Sequence, residues 1–227
     1  MTVAKNKQAS KGTGAGESAE IKLYTTLEKE ASAEMIEKKS VFIGSAAPAK
    51  TEEDALAFID KIKHKHGDAA HNVYAYMVRG GAQARYTDGG EPQGTAGIPI
   101  LDVIRKNNFT DAVIVVTRYF GGILLGAGGL VRAYSASAKL AVDAAGIVTY
   151  EPYTTFNISC SYQEYQRLQN ELPKHGVEQD DIDFGESITM KLGVRAAVYE
   201  DLVKRISEMT NGRCVPTVTG SRFGKMK

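Results

Sequence analysis

Two cysteines, Cys160 and Cys214, are the only ones among 227 residues. So few exclude a disulfide framework, and their spacing fits no zinc site. Reduced thiols in a cytosolic setting are the expectation. An excess of one charge is also lacking. With 28 basic and 27 acidic side chains, the formal net charge is +1. The chain as a whole therefore does not attract nucleic acid or anionic membrane, and any such binding must use a local patch. No window reaches the ~18 uninterrupted apolar residues of a membrane span, and the N-terminal stretch lacks the apolar segment of a secretory signal. A membrane partner is not expected, and the expected location is the cytoplasm.

What is present is ordinary globular material, 43% apolar and 24% charged, sufficient for one large domain or two modest ones. Residues 1–19 are polar and rich in Gly and Ser and read as a disordered tail. IKLYTT and KSVFIGSAA have the β-branched and aromatic content of strands. TEEDALAFIDKIKHKHG reads as a helix. Thr51 caps it, Glu53 and Asp54 lie in its first turn, Leu56, Ile59 and Ile62 lie at helical spacing, and Gly67 ends it. His64 and His66, near its basic end, read as solvated. HNVYAYMVRG alternates as a strand, with Val73, Ala75 and Met77 on one face. A Gly-rich loop and a helix over Ile98–Asn107 follow. DAVIVVTRYF is a continuous apolar run and predicts a strand buried on both faces. GLVRAYSASAKLAVDAAG predicts a long helix ending near Gly146. Glu151 and Pro152 read as a hinge. Beyond it, the pattern β-α-β-β-α-β is the ferredoxin-like order. The expected fold is α+β, divided into residues 20–150 and 151–227.

Two glycine-rich loops, YTDGGEPQGTAGIP and TRYFGGILLGAGGLVRAY, each follow a strand and enter a helix. Helix N-termini expose unpaired N–H groups, so both offer a place for an anion. The named nucleotide motifs fail. Gly121 and Gly126 lead to Ala127 where a P-loop requires lysine, and Gly126-x-Gly128 continues to Val131 where the dinucleotide fingerprint requires glycine. No cofactor is expected. The glycines then serve to shape turns, with Gly128 and Gly129 allowing positive φ or close packing. The flanking side chains leave two readings open. Arg118 and Arg132, the latter placed in the first helical turn, either pair with Asp88 and Glu91 in a salt-bridge cluster, or hold phosphate while Tyr119 or Phe120 stacks on a base. A third reading joins His71, Asp88 and Glu91 as acid–base or metal-binding groups. Their spacing matches no zinc or hydrolase motif, so no metal is expected. Cys160 reads as core.

The paired stretches YTDGGEPQGTAGIPIL and VVTRYFGGILLGAGGLVRAY, with HNVYAY and KKSVFIG, resemble the signatures of the YigZ/IMPACT family over about residues 20–150. The resemblance implies an N-terminal fold like the second domain of a small-subunit ribosomal protein. It also implies a C-terminal ferredoxin-like unit similar to the last domain of elongation factor G, and a bacterial origin. Eukaryotic members regulate translation by competing for a ribosome-associated activator of a stress kinase, a system not expected in bacteria. What the resemblance carries over is contact with single-stranded RNA, the ribosome or a ribosome-associated protein. It also carries over a set of residues with no established chemical role: His71, Asp88, Glu91, Gly94, Thr95, Gly97, Arg118, Tyr119, Gly121, Gly122, Gly126, Gly128, Gly129 and Arg132. The expected function is a cytosolic, translation-associated binding protein. The alternative is an enzyme working on a small substrate through His71, Asp88 and Glu91. Oligomeric state is left open.

Overall fold

The computed structural model describes residues 23–226, so the expected tail at 1–19 lies outside the described residues. The first half of the chain runs β1 (Tyr24–Leu27), β2 (Ala31–Glu37), β3 (Ser40–Pro48), α1 (Glu52–Lys65), β4 (His71–Val78), β5 (Gln83–Thr87), α2 (Gly97–Lys106), β6 (Ala112–Tyr119) and α3 (Ala127–Ala145). The second half runs β7 (Ile147–Cys160), α4 (Tyr162–Glu171), β8 (Glu178–Phe184), β9 (Ile188–Arg195), α5 (Ala196–Thr210) and β10 (Thr217–Lys225).

The apolar run of β6 organises the first sheet, whose order is β2-β3-β6-β4-β5, antiparallel throughout. Successive residues of a strand point to opposite faces. Ile114 and Val116 therefore join Ile100, Ile104, Tyr134 and Ala138 under α2 and α3, while Val113 and Val115 meet Phe58, Ile59 and Ile62 of α1. Both faces are covered, and every residue of β6 except Tyr119 is buried. Helix α1 starts as expected. Thr51 Oγ1 accepts from the Asp54 N–H and the Asp54 carboxylate accepts from the Thr51 N–H, each at 3.1 Å, a reciprocal cap. Leu56 is exposed, however; the buried stripe is Ala55, Phe58, Ile59 and Ile62. Helix α3 lies so close to β3 that a Cβ on Gly44 would collide with the Ser137 carbonyl.

The C-terminal elements β7-α4-β8-β9-α5-β10 build a second antiparallel sheet, with β10 and β9 on β7 and β8 outside β9. This is the ferredoxin-like arrangement, over its own core of Phe156, Ile158, Leu168, Met190 and Leu202. The expected hinge at Glu151–Pro152 is a correction. Both residues lie inside β7, and Pro152 pairs with Phe223. Strand β1 pairs with β7 as far as Tyr150, and the pairing of β7 with β9 begins at Tyr153, so a gap in the ladder on that edge accommodates a residue without an N–H. Strand β1 also ties the two sheets together. Tyr24 and Thr26 donate to the Asp111 carboxylate and carbonyl at 2.9 and 3.0 Å, and the Thr110 N–H donates to the Thr25 carbonyl at 2.9 Å.

Candidate functional site

Strand β6 places Arg118 on the same face as Val116, toward α2 and α3. There Arg118 Nη1 donates to Glu91 Oε1 at 2.7 Å, and Tyr134 donates to the same oxygen at 2.8 Å. The Arg118 and Glu91 side chains are 6% and 4% exposed. Arg118 Nη2 donates to Ser40 Oγ at 3.3 Å, and that hydroxyl also accepts from the Gly121 N–H at 3.2 Å. The guanidinium lies between the rings of Phe42 and Phe120, 5.4 and 5.5 Å from their centroids. Its Nε is buried without a hydrogen-bond partner among the described residues. His71 Nε2 stands 3.8 Å from Glu91 Oε1, while its Nδ1 meets the Gly89 carbonyl at 3.0 Å. Burial, then donation to Glu91, push the Tyr134 hydroxyl far above the usual tyrosine range. The cluster is an internal strut: the buried carboxylate takes both of its donors, Arg118 and Tyr134, on Oε1 from the chain itself. Of the two readings of Arg118, the salt bridge holds, and phosphate binding by this residue is corrected.

Asp88 takes a different partner. Its carboxylate accepts from the N–H groups of Gly94 at 2.8 Å, Ala96 at 3.1 Å and Gly97 at 2.9 Å. Burial resists ionisation of Asp88, but the three donors outweigh it and hold the carboxyl below the ordinary aspartate value. The N-terminus of α2 is thus filled by the chain itself, which corrects the expectation that this loop offers an anion site. Thr95 turns inward and donates to the Pro92 carbonyl at 2.6 Å. Of His71, Asp88 and Glu91, the structure brings together the first and last. Among the described residues no three His, Cys, Asp or Glu side chains converge on a metal-sized site.

The second loop has no such closure. Gly126, at φ 72°, is the N-cap of α3 with no side-chain hydrogen bond, and no acid lies in the first turn. Gly128 and Gly129 are helical; positive φ occurs at Gly122 and Gly126 instead. A Cβ on Gly121 would run into the Lys39 backbone, so this glycine is required by close approach. Phe120, Ile123 and Leu124 are exposed. Tyr119 belongs to the α1 face, opposite Arg118. Its hydroxyl donates to Asp68 at 3.0 Å and lies 3.0 Å from His66 Nδ1. His66 is buried, not solvated, and burial followed by the charge of Lys65 lowers its pKa. Arg132 is in the second turn of α3, not the first, and is exposed. Arg118, Tyr119 and Arg132 therefore do not share one surface.

Arg132 instead borders a groove of about 580 Å³ between α2 and α3. Ile98, Val103 and Val131 give it apolar walls, Gly94 also lines it, and Lys106 and Lys139 add positive charge, against Asp102 as the single lining carboxylate among the described residues. The sequence held a signal for this groove that the glycines obscured. Arg132, Ser135, Ala136 and Lys139 follow the three-four-seven spacing of one helical face.

The Impact N-terminal domain family matches residues 38–142, and a domain of unknown function (DUF1949) matches residues 158–213. The IMPACT family member YvyE of Bacillus subtilis (strain 168) is 35% identical over 191 residues, covering 84% of this chain and 88% of that protein. The chain belongs to the IMPACT family. Another IMPACT relative, YigZ of Escherichia coli (strain K12), is 29% identical over 178 residues, covering 77% of this chain and 87% of that protein. The IMPACT homolog of Dictyostelium discoideum shares 37% identity over 95 residues, 40% of this chain and 27% of that protein. A crystal structure of a hypothetical protein superposes with a TM-score of 0.55 at 26% identity, covering 86% of this chain and 96% of the other. The family and the α+β, two-domain fold expected from the paired signatures therefore stand.

Proposed function

We propose that this chain is a cytoplasmic binding protein of the translation apparatus and that the α2–α3 groove is its recognition face. The observation that carries this reading is Arg132, an exposed cation with no ion pair among the described residues, placed beside an apolar-walled groove. The resemblance to eukaryotic translation regulators supplies the translation context. Between the two partner classes expected, a ribosome-associated protein fits better than single-stranded RNA. Among the described residues no aromatic ring lines the groove, whereas single-strand sites stack bases on aromatic side chains. The enzymatic alternative loses support because buried Glu91 is tied to Arg118 and Tyr134, and Asp88 is turned to the start of α2.

Gradient sedimentation of extracts from cells producing the full chain tests this. At low salt the wild-type chain is expected in the ribosomal fractions, and Lys106→Glu with Arg132→Glu is expected to move it to the top with an unchanged melt. Identical profiles for both would overturn the reading. Saturable single-stranded RNA binding that the same pair of changes abolishes would assign RNA instead.

A further inference from the structure

We propose that the α2–α3 groove receives an acidic amphipathic helix supplied by the partner protein. This rests on the groove being the recognition face and adds the chemistry of what enters it. The lining is divided as such a ligand requires. Ile98 and Val131, 39% and 37% exposed, form an apolar strip that nothing in the described chain covers. Lys106 on α2 and Arg132 on α3 line the same groove, one from each helix. Neither has an ion pair among the described residues, whereas Lys139 is already held by Asp143 at 3.1 Å. A helix with leucine-type residues at three-four-seven spacing would place them on the strip and direct flanking carboxylates to the two cations, the helix-in-groove mode of recognition.

Size and shape agree with that occupant. Ser135 and Ala136 on α3, with Gly94, keep the walls low, so another helix backbone can approach closely. Helix α2 has 10 residues, a length of about 15 Å at 1.5 Å per residue, which two to three turns of a ligand helix would match. Charge sets the sign of the ligand: with Lys139 held by Asp143, Lys106 and Arg132 remain as two cations against Asp102, the one lining carboxylate among the described residues.

The test uses the full chain and a labelled 14-residue peptide of leucine, alanine and glutamate with its leucines on one helical face. The controls are the same composition scrambled, and the patterned peptide with lysine in place of glutamate. Fluorescence anisotropy is expected to show saturable one-site binding of the patterned acidic peptide that weakens as salt rises. Lys106→Glu with Arg132→Glu is expected to weaken it by at least about tenfold, and both controls are expected to bind worse. Ile98→Glu, at an exposed position, is expected to abolish it without lowering the melt. Equal binding of patterned and scrambled peptides, or equal binding by wild type and the groove variants, overturns the inference. So does a concentration-dependent dimer that the same variants dissolve, since the occupant is then a second copy of this chain. Ribosomal sedimentation that responds to the groove variants while the peptide does not bind would sink this inference and leave the proposed function standing. Loss of both responses sinks both.

Discussion

The loops at 88–97 and 120–129 both carry a strand of the first sheet into a helix on the same face, and both are rich in glycine. In the first, the carboxylate of Asp88 occupies the N–H groups at the start of α2, and Glu91 reaches inward to Arg118 and Tyr134. In the second, no carboxylate occurs between Phe120 and Tyr134. Helix α3 begins at Gly126 without a side-chain cap, and Ile123 and Leu124 face outward. Glycine gives both loops their backbone freedom. The position of the acids decides which loop closes on itself and which is left to face outward. The first loop is a strut. The second faces outward and leads into α3, which with α2 and Gly94 of the first loop lines the groove we assign to recognition.

Removing the strut sharpens this contrast most. Arg118→Gln strands the Glu91 carboxylate in the interior and is expected to cost about 3–5 kcal/mol, read as a fall in the denaturation midpoint; an unchanged midpoint would mean that the buried pair is not structural. Tyr134→Phe removes one of two strong donors to Glu91 and should cost about 2 kcal/mol in the same titration. Asp88→Asn weakens the acceptor at the start of α2 and should cost about 1–2 kcal/mol at neutral pH. Because the folded state depresses the Asp88 pKa, that stabilisation is complete above the unfolded aspartate value of about 3.9. It is lost as pH falls through the folded value. Wild type and Asp88→Asn should therefore converge in acid, and a gap that widens there would refute the assignment. Arg132→Gln, on the open side, should change stability by no more than about 0.5 kcal/mol. A larger loss would place Arg132 in the strut as well.

Much of the scaffold was legible in the sequence because its signals are local or strongly periodic. The apolar run of β6, the Thr51 cap and the ferredoxin-like order are of this kind. Strands β2 and β5 were not expected. They are the edges of the first sheet, and their polar, half-exposed residues carry little of the apolar alternation that marks a covered strand. The hinge reading at Pro152 failed because a local breaker rule was overruled by tertiary pairing with β10. In the site, the opposite directions of Arg118 and Tyr119 follow from the same period of two that sorts Val113 and Val115 from Ile114 and Val116. Grouping the residues as one motif hid that rule. The choice of Glu91 over Asp88 as the partner of Arg118 depends on a loop path through Gly89, Gly90 and Gly94, all at positive φ, which spacing alone does not define.

Amide hydrogen exchange on the folded chain tests the closed-versus-open contrast most directly. The N–H groups of Gly94, Ala96 and Gly97, held by Asp88, are expected to exchange slowly and to speed up in Asp88→Asn. Those of Ala127, Gly128 and Gly129, at the uncapped start of α3, are expected to exchange near the rate of an unstructured chain. Equal protection at the two helix starts, or slow exchange at Gly94, Ala96 and Gly97 that Asp88→Asn leaves unchanged, would contradict the account.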